Sequence, residues 1–122
     1  MFLGTTQQFA NQAFKAQYAT QSGPMLVINH QLNSRFLADS NSYKIRNGVG
    51  LKDQSLYFVI SNTPVTFHQF ATFFKDKLKT PNALYLDGSI STAYIPQLQR
   101  HTRTHRNLGP ILAYIDDQGC KP

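Results

Sequence analysis

Asp87-Gly88-Ser89, within NALYLDGSISTAYIP (82–96), places a carboxylate, a glycine and a run of small hydroxyls directly after an apolar stretch. A strand that delivers Asp87 at its carboxyl end, followed by Gly88, Ser89, Ser91 and Thr92, gathers a carboxylate and backbone N–H groups at one point. Gly88 permits close approach to the backbone, and the hydroxyls suit sugar hydroxyls or phosphate oxygens. Ligands of sheets containing parallel strands often sit outside the carboxyl ends of those strands. The alternative is a plain turn in which Asp87 caps a following N–H. Composition alone leaves both readings standing.

Two further stretches carry usable chemistry. Arg46-Asn47-Gly48 falls in a strand-like pattern between Ile45 and Val49, and an arginine on a ligand-facing strand suits bidentate binding of phosphate or carboxylate. Arg46 facing solvent, or pairing structurally with Asp53 or Asp87, is the competing reading. QRHTRTHR (99–106) holds Arg100, Arg103 and Arg106 with two histidines. That is either an electropositive patch for an anionic ligand or a solvated loop. All six acidic residues are Asp, so acid–base work falls to Asp, His or Tyr. His30 reads as a turn residue and His68 as an exposed helix residue, and neither has a visible triad partner. The four histidines and Cys120 lack metal-finger spacing. No cofactor or metal is expected.

The whole chain bounds these candidates. Its 122 residues make one domain with a real core, 41% hydrophobic and only 15% charged, with a net charge of +6. One cysteine excludes an internal disulfide. No apolar run approaches the ~20 residues of a membrane helix, and MFLGTTQQF lacks the features of a secretory signal, so the expectation is a soluble chain without an address. Binding of nucleic acid would use 99–106 and Lys75, Lys77 and Lys79. Aromatic interleaving is absent there, and the lysines are explained by the end of a helix.

The elements that must position the candidates follow from periodicity. Apolar spacing predicts a helix over 6–19, a buried strand over 25–29 and a partner strand over 32–37. Alternation from Tyr43 to Asn47 predicts another strand, whose Gly48 and Gly50 mark a bulge or a close approach. SLYFVIS (55–61) is the clearest strand. Phe67, Phe70, Ala71, Phe74 and Leu78 define one face of a helix, with Thr66 and Gln69 as its capping box. Strands ALYLD (83–87) and PILAYID (110–116) follow. The order predicts an α+β domain with a mixed β-sheet and packed helices.

In this order QSGPMLVINHQLNSRF, RNGVGL, LYFVIS, VTFHQFATFFKDKL, PNALYLDGSISTAYIP and LGPILAYID resemble the phosphodiester glycosidase domain family over residues 20 to 116. That family includes the lysosomal uncovering enzyme, which acts on N-acetylglucosamine-1-phosphodiesters, and bacterial relatives linked to exopolysaccharide. The resemblance implies a hydrolase that cleaves a sugar-1-phosphodiester or a related cell-surface glycan linkage. By position it assigns Gly23, with Pro24, to a conserved-type Gly-Pro segment. It places Arg46, Asn47 and Gly48 on the Arg-containing strand, and Asp87, Gly88, Ser89 and Ser91 on the Asp-Gly signature. Asp87 and Arg46 take the catalytic roles, with Arg100 and Arg103 helping to hold the phosphodiester. Ser89 and Ile90 stand where the uncovering-enzyme type has glycines. An Asn-(Ala/Gly)-Gly-aromatic signature expected nearer the N-terminus is not present, so the chain is expected to correspond to the C-terminal part of the family domain. A second carboxylate, if needed, would be Asp39 or Asp53. Relatives are often exported, while the compartment of this chain stays open. The alternatives are a non-catalytic carbohydrate- or polyanion-binding remnant and a basic nucleic-acid binder.

Overall fold

The computed structural model describes residues 1–12, 15–88, 92–101 and 112. The chain divides into two compact units, Met1–Ser91 and Thr92–Pro122. The first holds a five-stranded sheet in the order β2-β1-β5-β3-β4, built from β1 (Met25–Ile28), β2 (Gln31–Leu32), β3 (Asn47–Lys52), β4 (Ser55–Ile60) and β5 (Asn82–Asp87). The α+β class follows, but every pairing among these strands is antiparallel where a mixed sheet was expected.

The connections explain this arrangement. Two-residue turns join β1 to β2 through Asn29-His30 and β3 to β4 through Asp53-Gln54, all four residues with positive φ. That backbone follows the right-handed twist of a hairpin. The chain then leaves β4, passes through a helix and inserts β5 between β1 and β3. β4 and β5 therefore run in the same direction but never touch, because β3 separates them. The rule about carboxyl ends of neighbouring parallel strands has no pair to act on here.

Helix α2 (Phe67–Thr72) continues as a π-helical stretch, Phe73–Lys77. Thr66 and Gln69 form the expected reciprocal capping box, with bonds of 3.1 and 3.0 Å. The Leu78 N–H reaches back to the Phe73 carbonyl at 3.1 Å, and Lys79 at φ 55° lets the Thr80 N–H close on Phe74. The buried face of this helix, Phe70, Ala71 and Phe74, packs with Leu26, Val27 and Ala83 on one side of the sheet. Met25, Val49 and Leu84 form a smaller cluster with Leu3, Leu56 and Leu86.

Gly48 and Gly50 are what allow the helix to lie so close. A β-carbon on Gly50 would meet Thr80 Cγ2 at 2.8 Å and Phe74 Cδ1 at 2.9 Å. One on Gly48 would meet the Leu84 carbonyl oxygen at 2.8 Å and Phe70 Cε1 at 3.2 Å. The close approach anticipated at these glycines is made by the protein's own helix.

Three elements are shorter than periodicity suggested. α1 covers Thr6–Ala10 with its own Thr5/Gln8 capping box, yet buries none of its residues. A short helix without a packed face has little to sustain it, and residues 15–19 are not helical. β2 stops at Leu32 because the Asn33 side chain turns inward, donating to the Met25 carbonyl at 2.8 Å and accepting from the Arg35 N–H at 3.1 Å. β3 starts only at Asn47; before it, Lys44 makes a single bridge to Val65. In the second unit, β6 (Tyr94–Ile95) pairs with β7 (Arg100–His101) across a 3-10 turn, Pro96–Leu98. Of the strand expected at 110–116, only Leu112 is among the described residues, where it is exposed and not in a strand; the rest lies outside them.

Candidate functional site

β5 ends on Asp87, and the neighbours of that end are the segments singled out by residue type. Gly48 pairs with Tyr85 and Asn47 with Asp87, the register shifting between the two. Across β5 on its other flank, the Tyr85 N–H donates to the Pro24 carbonyl at 3.1 Å. The Ser22 hydroxyl donates to the carbonyls of Tyr85 and Leu86, at 2.9 and 3.0 Å. Ser22-Gly23-Pro24, Arg46-Asn47-Gly48 and Asp87-Gly88 therefore meet at one end of one sheet. The Gly23–Pro24 peptide is cis.

Asp87 is exposed, and its backbone N–H is held by Asn47 Oδ1 at 2.7 Å. Its Oδ1 accepts the Gly88 N–H, so the turn-capping role proposed for Asp87 exists in the structure. Capping leaves the carboxylate at the rim, where it can still accept from a ligand hydroxyl. Gly88 is buried, and a β-carbon there would strike the Tyr85 phenol oxygen and meet the Ile45 carbonyl oxygen at 2.7 Å. Glycine at 88 is thus set by the protein's own contacts. Gly23 is exposed with nothing near its missing β-carbon.

Arg46 is 1% exposed. Its Nε donates to the Val65 carbonyl and its Nη2 to the Ser42 carbonyl, each at 2.9 Å. The guanidinium carbon lies 3.6 Å from the centre of the Phe67 ring and 5.8 Å from that of Tyr85. Among the described residues the ion pair is Lys75–Asp76, so Arg46 is a buried cation held by carbonyls and aromatic faces. Neither solvent exposure nor pairing with Asp53 describes it. Asp53 sits in the β3–β4 turn, about 20 Å away along the strand from Asn47. The same distance removes Asp53 as a second carboxylate for this end of the sheet.

Tyr85 belongs to this rim, although no sequence motif marked it. It stands two residues before Asp87, on the same face of β5, with its ring edge-on to Phe67 at 4.9 Å. Burial raises its pKa above the ordinary value of 10.0; the charge of Arg46 opposes the rise, that of Asp87 adds to it, and a hydrogen-bonding contribution from Arg46 lowers it. Strand alternation back from Asp87 was the available signal.

Arg100 is half-buried in the second unit. Ser89, Ser91 and Arg103 lie outside the described residues. Of the histidines, His30 occupies the β1–β2 turn as expected, whereas His68 is half-buried rather than exposed. The described residues contain no cluster of three metal-ligating side chains and no helix long and apolar enough to cross a membrane.

The family model for phosphodiester glycosidases matches residues 4–114. An uncharacterized protein of Escherichia coli K12, YigE, is 45% identical over 80 residues, which cover 65% of this chain and 32% of that protein. The chain thus matches about a third of that relative's length. No solved structure matches significantly. With the matched region running through every segment that meets at the Asp87 end of the sheet, the chain belongs to the phosphodiester glycosidase family.

Proposed function

We propose that the Asp87 end of the sheet is a phosphodiester glycosidase site, cleaving the glycosidic bond of a sugar-1-phosphodiester or a related cell-surface glycan linkage. The observation that carries this reading is the meeting of Ser22-Gly23-Pro24, Arg46-Asn47-Gly48 and Asp87-Gly88 from three distant parts of the sequence. Asp87 contributes the carboxylate, to orient a sugar hydroxyl or to exchange a proton. Gly23, Asn47, Gly48 and Gly88 shape the rim, Arg46 supplies a fixed positive charge behind it, and Ser89 and Ser91 follow directly in the chain. Arg100 and Arg103 are the candidate anion-binding residues of the second unit.

Glycosidases commonly use two carboxyl groups about 5–9 Å apart. A phosphodiester leaving group is a weak base and needs less protonation than a sugar alkoxide, so one carboxylate at this rim is compatible with the chemistry. The test is hydrolysis of the methyl phosphodiester of N-acetylglucosamine 1-phosphate, followed by release of the free sugar. Turnover lost in Asp87→Asn, with the fold intact, supports the assignment. Turnover unchanged in that variant removes Asp87 from the chemistry.

A second reading is glycan-phosphate binding without turnover. It is favoured by Asp87 being the one carboxylate in the three segments that meet at this end of the sheet. Saturable binding of the same phosphodiester without release of sugar distinguishes it.

A further inference from the structure

Arg46 and Tyr85 together suggest a division of labour that neither residue type suggests alone. A phosphate-binding arginine presents its planar fork to the ligand. Here Nε and Nη2 are already committed to the Val65 and Ser42 carbonyls, Phe67 covers the guanidinium at 3.6 Å, and the residue is 1% exposed. A substrate oxygen meeting that fork would have to displace backbone or ring.

The Tyr85 phenol is placed differently. Tyr85 is half-buried, with its ring braced by Phe67, and its oxygen lies against Gly88 closely enough to forbid a side chain there. Tyr85 stands two residues before the exposed Asp87 on the same face of β5, and its oxygen abuts the Gly88 backbone that follows the carboxylate. With its pKa raised by burial, the phenol keeps its proton at neutral pH and can donate it. That suits an oxygen of a phosphodiester, which only accepts, while Asp87 suits a sugar hydroxyl, which donates.

We propose that Tyr85 is the hydrogen-bond donor this rim offers to the substrate's phosphodiester or sugar oxygen, and that Arg46 is a positioning residue behind it. The proposal rests on the site reading above and assigns the polar contact within it. It gives Gly88 a second consequence: any β-carbon there would strike the phenol oxygen and displace the donor.

The experiment measures affinity for the methyl phosphodiester of N-acetylglucosamine 1-phosphate by calorimetry. It compares wild type, Tyr85→Phe, Arg46→Lys and the double variant, with urea midpoints checking the fold. Tyr57→Phe, on β4, is the control. Loss of one hydrogen bond to the ligand is expected to weaken binding about tenfold in Tyr85→Phe. If Arg46 acts through the phenol, the double variant binds no more weakly than Tyr85→Phe. Fully additive losses overturn the positioning role and return Arg46 to direct contact. Wild-type affinity in folded Tyr85→Phe overturns the donor role alone. Failure of the wild-type protein to bind the probe overturns the site reading first, and the donor role with it. Tyrosine ring-carbon NMR is the independent readout, with the Tyr85 signal assigned by its loss in Tyr85→Phe. Its titration should move up in Arg46→Met, which removes the cation, and down in Asp87→Asn, and absence of both shifts overturns the coupling.

Discussion

Asn47 Oδ1 accepts the backbone N–H of Asp87 at 2.7 Å, tying the first residue of β3 to the last of β5. The bond falls where the register between these strands shifts. A side chain thus takes over from the ladder at the residue that carries the carboxylate. Because Asp87 is exposed, water can replace the lost acceptor in Asn47→Ala. The stability cost should stay near the lower end of a hydrogen bond's worth, about 0.5–1 kcal/mol. Activity should suffer more, because a carboxylate displaced by about 1 Å can cost on the order of a hundredfold. Urea unfolding and phosphodiester turnover measured on the same preparation should show this split. Equal losses would make Asn47 a structural residue only.

Gly88→Ala tests the crowding under the turn. The new methyl would meet the Tyr85 phenol oxygen, held on β5 with its ring against Phe67, and the backbone carbonyl oxygen of Ile45. Overpacking of this kind costs about 1–3 kcal/mol. Gly23→Ala is the matched control, since nothing lies within 4 Å of its added carbon. Thermal unfolding should separate the two substitutions clearly, with the first lowering the midpoint and the second leaving it nearly unchanged.

How much of this was legible in sequence depends on what each residue answers to. The capping box at Thr66 and Gln69 and the face Phe70, Ala71, Phe74 are local, and they stand where periodicity put them. Strand β4 was equally plain from its aromatic and branched residues. The early end of β2 was not, because Asn33 is turned inward by carbonyls on β1 that its own neighbours do not reveal. The same holds at the rim. Asp87 was marked by the glycine and hydroxyls after it, but the burial of Arg46 depends on Phe67 and Val65, about twenty residues further on. Tyr85 looked like one more strand aromatic. Its relation to Arg46 and Gly88 exists only once β3 and β5 are side by side.

Thr72 Oγ1 is buried and makes no hydrogen bond among the described residues, at the junction where α2 becomes π-helical. A buried hydroxyl without a partner carries a desolvation cost that valine of the same shape avoids, while helix propensity hardly changes. Thr72→Val is therefore expected to stabilise the protein by about 1 kcal/mol. Denaturant midpoints decide it. A destabilisation instead would reveal that the hydroxyl is satisfied in solution, by water or by a neighbour.

Alkaline pH should loosen the fold through Tyr85. Its folded pKa is raised above the ordinary 10.0, with burial as the largest cause. The folded state then holds its phenolic proton more tightly than the unfolded chain does. The contribution is fully present below the unfolded pKa near 10 and is lost as pH rises through the folded one. Unfolding free energies of wild type and Tyr85→Phe should therefore differ by a constant amount at neutral pH. Between about pH 9 and 11 the wild type should fall away more steeply. Arg46 opposes the rise in pKa and Asp87 adds to it, so Asp87→Asn should shallow the slope. Parallel curves for wild type and Tyr85→Phe across this range would mean that the opposing charge of Arg46 cancels the effect of burial, leaving the phenol with the same proton affinity folded as unfolded.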